Sequence, residues 1–116
     1  MHGGRSAAIF AAAAACAAAL LLAGCGGGVS LATLAQRQQA FAGKEVRSEG
    51  TVERERDPSG ATYYVLSDGR GDLVGLKPTA RAGRYRGERV SVRGRFEVQG
   101  GFGRVLLIHV IEARGG

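Results

Sequence analysis

GKEVRSEGTVE, residues 43–53, decides the fold of this 116-residue chain. Val46, Ser48, Gly50 and Val52 alternate with charged or hydroxyl-bearing side chains, most of them charged. This period of two is typical of a β-strand that turns one face toward a core. A glycine among the inward positions weakens a flat strand but permits a sharp bend or bulge.

The same pattern returns 44 residues later as GERVSVRGRFE, residues 87–97. Gly94 takes the place of the earlier mid-strand glycine, and Phe96 and Glu97 follow it. Two strands that coil strongly at matching heights predict a small closed barrel rather than a flat sheet. One repetition of a motif is too little for a solenoid.

Turn-forming residues divide the rest of the chain into further strands. Turns are predicted at residues 57–60, 68–71 and 100–103, and strands at 61–67, 72–77, 88–98 and 104–113. The Arg-rich connection 79–87 is expected to be irregular, with room for one helical turn. Residues 114–116 are expected to fray.

Ahead of the first strand, residues 29–41 predict an amphipathic helix of about ten residues. Ser30 is the predicted N-cap and Gly43 the predicted stop. We expect the apolar stripe to cover an open end of the barrel, because the helix lacks the cationic face of a membrane-surface helix. The stripe consists of Leu31, Leu34, Ala35 and Phe41.

A helix, a long bent strand, the hairpin at 64–69 and a second bent strand together resemble the OB-fold over residues 31–113. The chain looks closest to bacterial envelope OB modules. The resemblance implies an all-β, five-stranded Greek-key barrel preceded by a short amphipathic helix. It also implies that strands two and three, with the neighbouring loops, form the binding face.

The first 25 residues are organised like an export signal. A short, positively charged start, residues 1–5, precedes an unbroken run of apolar or small residues, 6–23. Leu22-Ala23-Gly24-Cys25 then resembles the bacterial lipoprotein box. The alternative is an uncleaved membrane-spanning anchor, which the Ala-rich, weakly hydrophobic run and its small-residue end disfavour.

The lipoprotein resemblance implies that Cys25 receives a diacylglycerol and that the signal, residues 1–24, is cut off. Residues 25–30 would then be the lipidated cysteine and a Gly-rich tether, holding the domain 31–113 near the bilayer. Gly26 is not aspartate, so a diderm would sort the protein to the outer membrane, facing the periplasm. In other cells it would lie on the outer face of the cytoplasmic membrane.

Composition excludes several classes of function. The net charge of +6 comes from fourteen arginines and two lysines against ten acids. Cys16 lies in the predicted signal and Cys25 at its end, so we expect no disulfide and no free thiol in the mature chain. With one mature histidine and no glycine loop that leads into a helix, we expect no catalytic residues and no cofactor.

An arginine-rich strand carries the predicted ligand contacts. Period two places Arg89, Arg93 and Arg95 on one outer face, where they could contact phosphates. The parity of the second strand leaves Tyr63 and Val65 outside the barrel, so Tyr63 is a candidate platform for a stacked base. The candidate ligand-binding set is Tyr63, Arg70, Arg89, Arg93 and Arg95.

A solvated face is the competing and favoured interpretation of those arginines. Outward acids nearby would pair with them, and those on the first strand would repel a polyanion. The acids expected to do so are Glu49, Glu53, Glu55 and Glu97.

His109, Asp68 and Asp72 are the remaining candidates for chemistry. One histidine without further ligands is a weak metal or haem site, so we expect an ordinary strand histidine. Two carboxylates four residues apart are too few for a calcium loop, and we expect them to stabilise a turn. No metal site is therefore predicted.

These observations favour a non-enzymatic OB-fold module on a lipid anchor, binding a protein or a small ligand at the cell envelope. The alternative is single-stranded nucleic-acid or polyanion binding through the OB face. A haem or metal carrier acting through His109 is a third hypothesis.

Overall fold

The computed structural model describes residues 28–100 and 103–114. The predicted signal, the motif at 22–25 and two residues of the last predicted turn, 101–102, lie outside the described residues. Two short helices come first, α1 (Leu31–Gln36) and α2 (Gln38–Phe41). The other elements, in chain order, are β1 (Glu45–Arg56), β2 (Thr62–Ser67), β3 (Leu73–Lys77), α3 (Thr79–Gly83), β4 (Arg89–Gln99) and β5 (Gly103–Ala113).

The five strands form a closed barrel in the order β1-β2-β3-β5-β4. Strands β3 and β5 run parallel, and every other neighbouring pair is antiparallel. Strand β1 is shared, because residues 45–51 pair with β4 while residues 51–56 pair with β2. This is the predicted OB-fold barrel.

Both mid-strand glycines are required by close backbone contact, which confirms the predicted bends. A Cβ atom on Gly50 would lie 2.6 Å from the carbonyl oxygen of Ser67. The register between β4 and β5 shifts at Gly94, so that His109 of β5 has no partner in β4. Backbone crowding at these two places lets the barrel close.

The barrel interior is filled by one apolar cluster. Its largest members with essentially no exposed surface are Phe96, Leu34, Leu66, Leu76 and Leu106. Inward positions of β1 follow the predicted alternation and are buried through Val52. Leu31, Leu34 and Phe41 of the N-terminal helices join the cluster, so the helical segment covers the barrel as expected.

The expected single helix is two helices, which corrects the prediction for residues 29–41. Ser30 is the N-cap, and its side chain accepts a hydrogen bond from the Thr33 backbone N–H. Arg37 leaves the helical region with φ −123° and ψ 43°. The Gln38 side chain donates to the Ala35 carbonyl at 3.1 Å, which supplies a partner where the helical ladder is interrupted.

The packed domain begins at Val29, two residues before the expected boundary. The Val29 N–H donates to the Arg47 carbonyl at 2.6 Å, and the Val29 carbonyl accepts from the buried Ser48 hydroxyl at 2.7 Å. Val29 is itself buried. The end of the predicted tether is thus fixed against the edge of β1.

Arg114 is held in place, contrary to the expected fraying. Its N–H donates to the Arg89 carbonyl at 2.7 Å, and its guanidinium lies 2.8 Å from a Glu49 carboxylate oxygen. The last two residues lie outside the described residues. The ladder between β4 and β5 is therefore extended by one hydrogen bond, and the ion pair links Arg114 to β1.

Helix α3 fills the connection in which a helical turn was expected. Its Arg81 guanidinium donates to the carbonyls of Ile108 and His109, at 3.1 and 2.9 Å. These carbonyls lie just past the last paired residue of β5 alongside β3, Leu107. No helix among residues 28–100 and 103–114 is long and apolar enough to cross a membrane.

Candidate binding groove on the outer barrel face

A groove of about 440 Å³ lies on the outside of the barrel, across β2, β3 and β5. The loop between β1 and β2 borders it at Asp57 and Pro58, and the start of β5 borders it at Gly103. This is the face that the OB-fold resemblance implies for ligand binding. The groove is thus where the fold would place a ligand.

Three residues form a row across the groove floor. Val65 of β2 pairs with Gly75 of β3, which pairs with Val105 of β5. Val65 and Val105 are only 1% and 3% exposed, yet neither belongs to the cluster inside the barrel. They form a second, smaller apolar surface on the outer side of the sheet.

Gly75 has no side chain, so nothing extends into the groove from the centre of this floor. A Cβ atom here would meet the Arg104 carbonyl oxygen at 3.4 Å and a Val105 methyl at 3.7 Å, both ordinary contacts. The fold would therefore accept a small side chain at Gly75. A larger one would extend into the groove.

The groove rim combines exposed apolar side chains with cations. Tyr63 and Leu73 are 39% and 40% exposed, which is high for large apolar residues. The cationic lining residues are Arg56, Lys77 and Arg104, against the single acid Asp57. The groove therefore offers hydrophobic contact together with positive charge.

Arg104 is held at one end of the groove. Its guanidinium donates to the Leu73 carbonyl at 3.1 Å. Its buried Nε has no hydrogen-bond partner within the described part of the chain. A buried donor without a partner is costly, and because this nitrogen is closed to solvent, a ligand in the groove would reach it only after a shift of the Arg104 side chain.

The loop that borders the groove is stiffened by Asp57. One of its carboxylate oxygens accepts from the Ser59 hydroxyl, the Ser59 N–H and the Ala61 N–H. These hydrogen bonds, that of the Ser59 hydroxyl above all, hold the pKa of Asp57 below its usual value. The predicted turn at 57–60 is confirmed.

The arginines predicted as ligand contacts lie elsewhere on the barrel. Arg89, Arg93 and Arg95 are on β4, which borders neither β2 nor β3. Arg70 is exposed in the turn after β2, while Tyr63 lies near the start of that strand. The structure therefore does not bring Tyr63 together with the predicted arginines.

Two of those arginines take part in surface ion pairs. Arg93 lies 3.4 Å from Glu45, and Arg95 lies 3.9 Å from Glu97. Glu97 was an expected partner of these arginines, whereas Glu45 was not. Glu49 was also expected to pair with them, but it pairs with Arg114 instead. More than half of each arginine side chain is exposed, as in a solvated face.

His109 and Asp68 make ordinary local contacts. The His109 Nδ1 lies 3.2 Å from the same Glu45 oxygen that faces Arg93. Asp68 accepts from the backbone N–H groups of Arg70 and Asp72, so it stabilises the turn as expected. Among the residues that the structure describes, no three potential ligands gather to hold a metal ion.

The groove floor was not predicted from the sequence, because strand positions that face away from the barrel interior were taken to be exposed to solvent. Val65 has the predicted outward parity, but it is buried. The apolar character of both faces of β5 is the signal that could have revealed a second apolar surface, since Val105 and Leu107 are outward on a strand whose inward positions are also apolar.

No protein-family model matches this sequence, and no curated protein matches it. The fold is similar to a crystal structure of asparaginyl-tRNA synthetase from Pyrococcus horikoshii, with 17% identity and a TM-score of 0.51. That match covers 77% of this chain and 23% of the synthetase. The same synthetase complexed with asparaginyl-adenylate gives 18% identity and a TM-score of 0.48, over 66% and 20% of the two chains. This chain spans less than a quarter of the synthetase, and the first match supports the OB-fold barrel.

Proposed function

We propose that this protein is a membrane-anchored, non-enzymatic binding module whose outer groove receives a segment of an envelope protein or a small ligand. The observation that carries the proposal is the groove on β2, β3 and β5, where the exposed side chains of Tyr63 and Leu73 border an apolar row of buried residues, Val65 and Val105. Apolar surface that lies outside a core and is flanked by polar residues is typical of a binding site.

The ligand chemistry follows from the groove lining. The floor and the Leu73 side chain favour an apolar body. The rim cations Arg56 and Arg104 favour a carboxylate beside it. An apolar segment with an acidic residue next to it matches both.

The anchor is the second part of the proposal. Leu22-Ala23-Gly24-Cys25 follows a charged start and an apolar run, and this order supports acylation of Cys25. The protein would work at the cell envelope, on the outer membrane of a diderm or the outer face of a single membrane. Two or three acyl chains give stable anchoring.

Single-stranded nucleic acid is the second candidate ligand. The exposed Tyr63 ring beside cations could stack a base, and the similar solved structure belongs to a tRNA synthetase. The expected contacts differ from those predicted by sequence, because Arg56 and Arg104 line the same groove as Tyr63, whereas Arg93 and Arg95 lie on β4, outside it.

Site-specific photocrosslinking tests the groove. A photoreactive amino acid at Leu73 in whole cells should capture a discrete partner that the same group at Arg93, exposed on β4 and outside the groove, does not capture. Gly75→Leu should abolish the Leu73 product, whereas Gly75→Ala should keep it. An identical product pattern at both positions would contradict the proposal.

Oligonucleotide titration separates the two ligand classes. Salt-sensitive binding that is lost in Arg56→Ala/Arg104→Ala but kept in Arg93→Ala/Arg95→Ala would establish the nucleic-acid alternative. Absence of binding at low salt would exclude it.

Palmitate labelling tests the anchor independently. The wild-type protein should take up label and accumulate as a larger precursor in globomycin, and Cys25→Ala should take up no label and keep the precursor size with or without globomycin. An unlabelled wild-type protein would contradict the anchor while leaving the groove proposal in place.

A further inference from the structure

The position of Val29 determines how an anchored barrel would stand on its bilayer. Its backbone is fixed to β1 by the Arg47 carbonyl and the Ser48 hydroxyl, so the chain leaves the domain at a defined place. From Cys25 to Val29 there are four residue steps, which span at most about 14 Å. An acylated Cys25 therefore holds this part of the barrel at the level of the lipid headgroups.

The surface beside that exit consists of the two N-terminal helices and the residues that lead into β1. We call the exposed residues Gln36, Arg37, Gln39, Ala40 and Lys44 the proximal surface. Helix α1 rises only about 9 Å between Leu31 and the break at Arg37. The chain contains no acidic residue from position 28 to position 44, and the proximal surface carries two cations.

The outer end of the groove lies far from the exit. Strand β1 runs from Arg47, beside Val29, to Arg56, beside the groove, and nine steps of a strand extend about 30 Å before bending. Tyr63 pairs with Glu55 in this distant half of β1. We call the loop at residues 57–61 and the adjoining Tyr63 the distal end.

We propose that the lipid anchor sets the proximal surface against the headgroups of an anionic bilayer and holds the distal end of the groove away from it. The inference rests on the proposed acylation of Cys25. Charge alone would not select this orientation, because a second part of the surface is also cationic. There the exposed Arg84 and Arg86 follow α3, whose Gly83 packs beside Tyr64 of β2. The short tether is the deciding factor, and the cations of the proximal surface agree with it.

Fluorescence quenching on the intact acylated protein tests this orientation. Acylation consumes Cys25 and removal of the signal eliminates Cys16, so an engineered cysteine is the only free thiol. Ala40→Cys and Ala61→Cys form a matched pair, since both alanines are exposed and lie five residues outside the two ends of β1. Each variant is labelled with the same fluorophore and reconstituted into phosphatidylethanolamine and phosphatidylglycerol vesicles that carry a headgroup nitroxide.

The label at residue 40 should be quenched severalfold more than the label at residue 61. Equal quenching, or stronger quenching at residue 61, would overturn the proposed orientation. A flexible Gly/Ser insertion of about twelve residues between Gly27 and Gly28, with an r.m.s. length of about 19 Å, should bring the two values together. An unchanged difference after that insertion would overturn the role of the tether.

Failure of the anchor itself would be recognised separately. A wild-type protein that reacts with the thiol label and does not float with vesicles would contradict acylation, and with it this orientation. A protein that floats, resists the label and shows equal quenching contradicts the orientation alone.

Discussion

Gly94 packs directly against Leu107, and a Cβ atom on Gly94 would lie 1.9 Å from the Leu107 carbonyl oxygen. Backbone atoms on both sides of this contact cannot rotate away as a side chain could. The register between β4 and β5 shifts at Gly94, and His109, the residue of β5 without a partner in β4, lies at the same shift. The barrel therefore closes around a position that only glycine fits.

Gly94→Ala should destabilise the domain strongly, by about 3 kcal/mol or more, because overpacking against backbone leaves no low-energy adjustment. Gly75→Ala is the control, since its Cβ would make ordinary contacts, and it should change stability by less than about 1 kcal/mol. Urea unfolding of the mature chain carrying Cys25→Ala measures both. Similar midpoints for the two variants would refute the argument from crowding.

Ser48→Ala should cost about 1–3 kcal/mol, because it leaves the Val29 carbonyl without its buried partner. Ser91→Ala should cost less, since the Arg47 side chain that donates to Ser91 is only half-buried and can turn to solvent. Limited proteolysis is a second measurement. Cleavage before α1 should accelerate in Ser48→Ala and stay unchanged in Ser91→Ala.

Arg81→Ala should destabilise the domain by about 1–2 kcal/mol, because the carbonyls of Ile108 and His109 lose a charged donor. Arg84→Ala is the matched control, as Arg84 is exposed and makes no side-chain contact of this kind among the described residues. Thermal unfolding followed by circular dichroism compares the two. Equal melting temperatures would show that solvent replaces Arg81 without cost.

Arg93→Ala/Arg95→Ala should change stability by less than about 1 kcal/mol, because exposed ion pairs contribute little in water. The small effect should shrink further as salt is added. Urea midpoints at low and high salt measure it. A large loss of stability would contradict the interpretation of Arg93 and Arg95 as part of a solvated face.

Asp57→Ala should lower the melting temperature above pH 3.8, the ordinary pKa of the carboxyl, and have progressively less effect in more acidic solution. The folded state depresses the pKa of Asp57, chiefly through the Ser59 hydroxyl. Its stabilising contribution is therefore complete above the unfolded pKa and is lost as pH falls through the lower folded pKa. A difference in melting temperature that does not vary with pH would contradict this linkage.

The barrel could be predicted from sequence because its determinants are local. The alternation in residues 43–53 and the matching glycines report directly on strand faces and bends, and both are confirmed. The N-cap at Ser30 and the turn at Asp57 were likewise predictable, because both side chains accept hydrogen bonds from residues that are close in sequence. The break at Arg37 was not predictable in this way, since the apolar spacing suits one continuous helix.

The OB-fold resemblance implied the face on which the groove lies, but the residues of its floor could not be predicted because they come from three strands at once. Val65, Gly75 and Val105 are far apart in sequence and form a row only through the registers β2 to β3 and β3 to β5. Period two assigned Val65 correctly to the outer side but could not show that it is buried there. The arginines of β4 were conspicuous in sequence, but charge density does not reveal which strand lies beside Tyr63.

The sharing of β1 between two partners has a kinetic consequence. Its first half pairs with β4, 38 to 50 residues further along the chain, and β3 gains its second neighbour only when β5 arrives. Pairing between strands that are distant in sequence slows folding, because the entropy of loop closure is lost before the contacts between the strands form. Residues 28–100 emerging from a ribosome or a translocation channel would hold an open sheet. Barrel closure is then a single late event that follows synthesis of β5, and a chain that passes a membrane before that event crosses it without having to unfold.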